Sequence, residues 1–226
     1  MKYTNISEGL FISRINRFTC NAEINDQPEL AHIKNTGRLI KLLKQGCRAY
    51  FQKSDNPERK TQYDLIAVEH NGSIINVDSQ ITNYVAEEWL HQKTFFPDLK
   101  MAKREVKYGD SRFDIYFEYG DKKAFMEIKG VTLIENGIAR FPDAPTKRGV
   151  KHLHELMKCI DDGYEAYIMF VIQLPDVKWF EAAVSVQEEF ATTLKEAWQK
   201  GVHILAYGCD MTKDSIEIAR PIEVRL

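Results

Sequence analysis

The sequence predicts an α+β chain in two domains, a small β-barrel over residues 1–80 and a mixed sheet flanked by helices over residues 81–226. Three observations lead there. The first eighty residues read as short strands with little helix, and the remainder alternates helical stripes with strands. One run in that second part, "YEAYIMFVIQL", is almost continuously apolar, as in a strand covered on both faces. At 226 residues the chain is long enough for one large or two modest domains.

In the first part, "LFISRI" and "RFTCNAEI" alternate, "ELAHIKN" follows a Gln-Pro turn, and "CRAYFQKS" follows Gly46. "YDLIAVEHNGSIINVDS" holds Asn71-Gly72 between two apolar runs, a strong hairpin signal. "TGRLIKLLKQG" is expected to form one short helix closing at Gly46. Five strands and one helix suggest a barrel of the OB-fold kind. In the second part, "TNYVAEEWLHQKTF" places Val85, Trp89 and Leu90 on one helical face, with Thr82 or Asn83 as its cap and Pro97 ending it. "MAKREVKYG", "SRFDIYFEY" and "KKAFMEIKGVTL" read as three strands. "VKHLHELMKCIDDG" carries an apolar stripe of Val150, Leu153, Leu156, Met157 and Ile160. A capped helix, "SVQEEFATTLKEAWQKG", precedes the strand "VHILAYG".

Composition restricts the functional classes. No run reaches the eighteen or so apolar residues of a membrane helix. The first residues lack the order of a signal peptide, so a cytoplasmic location is expected. Cys20, Cys47, Cys159 and Cys209 are scattered, unlike a zinc knuckle or a redox dithiol. His152 and His154 stand two apart on a helix and point to different faces, which argues against a shared metal. Net charge is −2, but residues 1–60 carry +5 and the rest −7. A basic front beside an acidic rear hints at phosphate binding next to a metal site.

The candidate chemistry lies in "SRFDIYFEYGDKKAFMEIKGVTL". Six acid-x-Lys triplets occur in the chain, starting at Glu58, Asp98, Glu105, Asp121, Glu127 and Asp176, so the triplet alone is uninformative. Only the Glu127 triplet lies in an apolar strand paired by a tight turn to a strand that carries Asp114. Strands about 5 Å apart let the two carboxylates converge on one face. Such a pair, with a backbone carbonyl and waters, suits Mg²⁺ or Mn²⁺. Lys129 projects to the same face, where it would orient a water and stabilise charge on a phosphate. The alternative is a salt-bridged Asp/Glu/Lys cluster on a solvated sheet face, and spacing alone does not separate the two. Glu88 or its neighbour Glu87 is available as a third carboxylate. Lys103, Arg104, Lys107 and Arg112 surround the hairpin, and Lys147, Arg148 and Lys151 open the next helix, where phosphate is well held. Gln173 is expected to be a satisfied buried amide, with the same sheet edge within its reach.

The segments "RINRF", "HIKNTGRL", "RKTQYDL", "KYGDSRFDIYF", "EIKGVTL", "FPDAPTKRGVKHLHEL" and "GVHILAY" resemble, in that order, the sugar fermentation stimulation (SfsA) proteins over nearly the whole chain. The resemblance implies an N-terminal OB-like domain and a C-terminal restriction-endonuclease-like domain of the PD-(D/E)XK type. It implies a nuclease motif on Asp114, Glu127 and Lys129, with Ile128 giving a carbonyl ligand and Glu88 as the best match for the helical acid. Phe113 stands where that motif writes proline. It also implies DNA binding of low sequence preference and a part in regulating sugar, notably maltose, metabolism. Two functions follow: a Mg²⁺- or Mn²⁺-dependent DNA nuclease, or a non-catalytic DNA-binding regulator on the same scaffold. Arg14, Arg17, Lys34, Arg38, Arg59 and Lys60 of the barrel are expected to track the DNA backbone, with Asn35, Thr36 and Gly37 adding polar contacts. Arg112, Arg148 and Lys151 would extend that surface. A homodimer is compatible, because many nuclease-like folds work in pairs.

Overall fold

The computed structural model describes every residue of the chain except Thr36. Six strands make the first sheet: β1 (Ile6–Asn16), β2 (Thr19–Ile24), β3 (Gln27–Ile33), β4 (Arg48–Lys53), β5 (Tyr63–His70) and β6 (Ser73–Asn76). Their order is β3-β2-β1-β4-β5-β6, and a parallel pairing of β3 with β5 closes the first five into a barrel. Closure needs β1 to bend, and its ladder with β2 slips register after Phe11 and again after Arg14. At Gly9 a Cβ would stand 2.2 Å from the Glu23 carbonyl oxygen, so only glycine permits this approach of the strands. β5 and β6 form the expected hairpin, with Asn71 and Gly72 both at positive φ.

The helix expected between Thr36 and Gly46 does not form. Leu39 adopts a left-handed conformation (φ 51°), and the segment closes as turns that bury Leu39 and Leu42 beneath the barrel. Buried apolar side chains outweigh helical periodicity in so short a run.

The second part begins with α1 (Ile81–His91), followed by β7 (Leu99–Tyr108), β8 (Ser111–Tyr119), β9 (Lys122–Val131), β10 (Leu133–Glu135) and β11 (Ile138–Phe141). Then come α2 (Lys147–Asp161), β12 (Glu165–Ile172), β13 (Trp179–Ala182), α3 (Glu188–Lys200), β14 (His203–Met211), β15 (Ile216–Pro221) and β16 (Val224–Arg225). The large sheet runs β15-β14-β12-β9-β8-β7, with β9, β12 and β14 parallel and the outer pairings antiparallel. A small sheet, β10-β11-β13-β16, stands apart from it. These four short strands, and β15, had no clear pattern in the sequence.

Side-chain alternation divides the large sheet. Ile115, Phe117, Met126, Ile128 and Met169 pack with Val85, Trp89 and Leu90 of α1 and with Tyr50 and Ile66 of the barrel. The other face, with Phe125, Ile168 and Phe170, packs under Leu153 and Leu156 of α2 and Leu194 of α3, in a core continuous with the barrel interior. Both layers therefore cross from the barrel to the sheet. α1 ends at His91, before Pro97, where Lys93 takes a positive φ. Neither Thr82 nor Asn83 caps it; Asp78 accepts from the Gln80 N–H at 2.9 Å just outside the helix. α3 likewise has no side-chain cap, with Gln187 just before it, and left-handed Gly201 follows its last residue. No helix among the described residues is long and apolar enough to cross a membrane.

Candidate functional site

The end of the large sheet where β8 begins and β9 ends opens into a cleft of about 570 Å³. Its floor is Asp114 and Glu127 to Val131, and its walls are the starts of α1 and α2, β7, β10, β11 and the barrel residues Asn35 and Gly37. The β8–β9 ladder ends at the pair Ile115–Met126, and just beyond it Asp114 turns its carboxylate to the Ile128 N–H, so that it and Glu127 both line the cleft.

Each carboxylate is held in place. Asp114 Oδ2 accepts from the Ile128 N–H at 2.7 Å, and Oδ1 accepts from Asn83 Nδ2 at 2.8 Å. Burial, then the negative charge of Glu127, pushes Asp114 up to about 6. Glu127 is buried. Its Oε1 pairs closely with Lys129 Nζ, and His152 Nδ1 from α2 touches the same oxygen without hydrogen-bond geometry. Burial alone would raise Glu127, but Lys129 and His152 outweigh it and hold this acid below the usual range. Its second oxygen, Oε2, is buried and has no partner among the described residues. His152 Nε2 accepts from Arg148 Nε at 3.3 Å, so α2 braces the acid through two of its side chains.

The helical acid is a correction. Glu88 lies away from the cleft, its Oε2 2.6 Å from the Met1 amine and its side chain 52% exposed. The reason is the layering: α1 covers the sheet face opposite Glu127, so only its first turn reaches the carboxylates, and that turn offers Asn83. Glu87 instead pairs with Arg104 at 3.0 Å. Among the described residues no group of three His, Cys, Asp or Glu side chains is arranged to hold a metal. An ion here would complete its shell with backbone oxygen and water, as Mg²⁺ commonly does.

Several expected DNA contacts are structural. Arg14 donates to the carbonyls of Asn16, Arg17, Asn35, Gly37 and Arg38, which consumes its guanidinium in clamping the loop after β3. Lys34 is held between Asp64 at 3.0 Å and Asp78 at 3.4 Å, and Arg59 forks onto Asp64 at 2.6 and 3.2 Å. Burial opposes the Asp64 charge, yet Arg59 and Lys34 leave its carboxyl below the usual range. Asn35 is buried, donating to the Val77 carbonyl and accepting from the Gly37 N–H. The contact expected of Thr36 lies outside the described residues. Arg17, Arg38 and Lys60 are exposed on the barrel; Arg112 lies 3.9 Å from Glu105, and Lys151 3.6 Å from Glu155. Of the expected cations Arg104, Lys129 and Arg148 line the cleft, joined there by Arg140, which is tied to Glu135 and Glu181. Gln173 donates to Asn76 Oδ1 and to the Asp78 carbonyl, joining barrel to sheet, but its buried Oε1 has no partner among the described residues.

His152 and Asn83 escaped sequence reasoning. His152 sits four residues after Arg148 and three after Gly149, a spacing that places it on the buried side of α2, but nothing in that spacing says which strand it meets. Asn83 read as a cap because it opens a helix.

Family models match in two stretches: residues 12–77 fit the SfsA N-terminal OB domain, and residues 80–215 fit the sugar fermentation stimulation protein RE domain. Relatives called sugar fermentation stimulation protein homolog are 50% identical over 226 residues in Ruminiclostridium cellulolyticum and in Clostridium beijerinckii, with all of both chains covered in each case. A solved structure of Pyrococcus furiosus SfsA in complex with Ca²⁺ is 31% identical, superposes with a TM-score of 0.90, and covers 100% of this chain and 98% of its own.

Proposed function

From the premise that this chain belongs to the sugar fermentation stimulation (SfsA) family, we propose that it binds DNA and hydrolyses phosphodiester bonds with the help of Mg²⁺ or Mn²⁺. The observation that supports this is the buried Oε2 of Glu127, without a partner among the described residues, beside Asp114 at the floor of a cleft. A buried carboxylate oxygen without a donor is unfavourable unless a cation completes it. The Ca²⁺ in complex with Pyrococcus furiosus SfsA is a hard, oxygen-seeking ion of the same class.

Asp114, Glu127 and the Ile128 carbonyl would hold the ion. It would supply Lewis-acid polarisation of the phosphoryl oxygen and a lowered water pKa. The remaining work falls to side chains of this chain. Asn83 and the Ile128 N–H fix the Asp114 carboxylate, and His152 keeps Glu127 in its place. Lys129 positions the attacking water and meets the charge that develops on phosphorus-bound oxygen, while Arg148 at the start of α2 holds the phosphate. Water forms the new bond to phosphorus, the bond to one ester oxygen breaks, and that oxygen leaves with a proton.

The test is incubation of the whole chain with plasmid and oligonucleotide DNA, with Mg²⁺, with Mn²⁺ and with EDTA. Metal-dependent scission, lost in Lys129→Ala and in Asp114→Asn, is expected. Residual scission that needs no metal in both variants would refute the assignment. One observation favours a second reading, a non-catalytic, sequence-tolerant DNA-binding regulator of sugar metabolism: Lys129 already neutralises one oxygen of Glu127. That reading expects DNA binding that persists in EDTA, no scission, and unaltered binding by Glu127→Gln.

A further inference from the structure

Next to the carboxylates lies an aromatic surface that hydrolysis alone does not require. Tyr84 follows Asn83, the residue bonded to Asp114, and it lines the cleft with 44% of its surface exposed. The Arg104 guanidinium lies over its ring, 3.9 Å from the centroid, and Glu87 fixes that guanidinium from one helical turn further along α1. One side of the ring is thereby backed by a held cation, and the ring is presented beside the acids. The rim of the cleft is also held. The Arg38 N–H donates to Asp143 Oδ2 at 3.1 Å and Lys41 pairs with Glu135 at 3.0 Å, so the loop after β3 is tied down across the β10–β11 side. A cleft of about 570 Å³ is of the size that small-molecule sites have, room for roughly one or two nucleotides. A base must leave its pair before its face can lie on an aromatic ring, so such a platform takes an unpaired strand.

We propose that the Tyr84–Arg104 stack is a base platform and that the cleft takes an unpaired DNA strand, one base lying on Tyr84 while the adjoining phosphate lies at Arg148 and Lys129, beside the two acids. The inference rests on the phosphodiesterase reading for the fate of that phosphate, and on the exposed stack for the unpaired strand. It also gives Glu87 a positioning role: it orients Arg104 rather than completing a metal shell.

The experiment is fluorescence anisotropy of the full chain in EDTA with three labelled probes of equal length: oligo-dT, an abasic strand with the same phosphates, and a duplex. Oligo-dT is expected to bind tighter than the abasic strand and the duplex, by about 5- to 100-fold. Tyr84→Ala should bring oligo-dT to the abasic level, and Tyr84→Phe should keep the preference. The salt dependence should be the same in all three proteins, because no phosphate contact is removed. Equal affinity of the wild type for oligo-dT and the abasic strand, tighter binding of the duplex, or an equal loss on both strands in Tyr84→Ala overturns the platform. Scission is measured separately with Mn²⁺. Base preference without scission defeats the phosphodiesterase reading alone, and scission without base preference defeats the platform alone.

Discussion

Replacing Arg14 separates a structural arginine from a phosphate contact. Its guanidinium serves five carbonyls, of which those of Asn35 and Gly37 are partly buried and the other three exposed. The exposed three exchange protein for water at little net change. Each of the two partly buried bonds contributes about 1–1.5 kcal/mol, the upper part of the range for neutral bonds, because partial exposure offsets the charge of the donor. Arg14→Ala is therefore expected to destabilise the chain by about 2–3 kcal/mol, which lowers Tm by about 4–12 °C at this size. Arg14→Lys keeps the charge but loses the planar fork, and one ammonium reaches fewer of the five acceptors, so at least about half of that loss should persist. Thermal unfolding followed by circular dichroism measures both variants. The salt slope of DNA binding checks the other account, in which a lost phosphate contact reduces the slope by about 0.9. A lysine variant that melts with the wild type, together with an alanine variant of reduced slope, would refute the clamp.

Three further outcomes follow from the site. In the metal-free chain the Asp114 carboxyl should titrate near 6 by carbon-detected NMR and move down, though not fully to its ordinary value, in Glu127→Gln, because burial is the larger cause. The raised value means that the folded chain binds this proton more tightly than the unfolded chain. This contribution to metal-free stability is therefore complete below about 4 and lost as pH rises through about 6. Glu88→Gln should leave Mg²⁺ affinity by calorimetry within about twofold, whereas Glu127→Gln removes a charged ligand and should lower it by tenfold or more, roughly 1.4 kcal/mol. At Gly130 a Cβ would stand 2.9 Å from Gln173 Oε1 and 3.2 Å from Thr82 Cγ2, both on buried side chains. Gly130→Ala should cost about 1–3 kcal/mol in urea unfolding, and a neutral result would mean that Gln173 can turn away.

Much of the molecule was legible before any coordinates. The hairpin at Asn71-Gly72 is local turn chemistry, and the alternation of β8 and β9 follows from a two-residue period that survives any tertiary context. The closeness of paired strands suggested that Asp114 and Glu127 converge, and both line the cleft. The segment after β3 was misread because Leu39 and Leu42 obey a helical spacing but are pulled into turns by the space beneath the barrel. β10, β11, β13 and β16 were missed because strands of two to four residues carry too few alternations to register.

Partner choice was beyond sequence. Lys34 meets acids 30 and 44 positions away, and Arg59 shares one of them, so that two expected DNA contacts are internal ion pairs. Glu87 and Glu88 are neighbours with identical chemistry, and what separates them is which sheet face α1 covers. His152 reaches Glu127 from another element entirely. Local backbone preference and side-chain periodicity are encoded within a few residues and are read directly. Which charge meets which, and which carboxylate is left without a donor, depends on how distant elements pack and exclude water, and those long-range contacts exist only once the chain is folded.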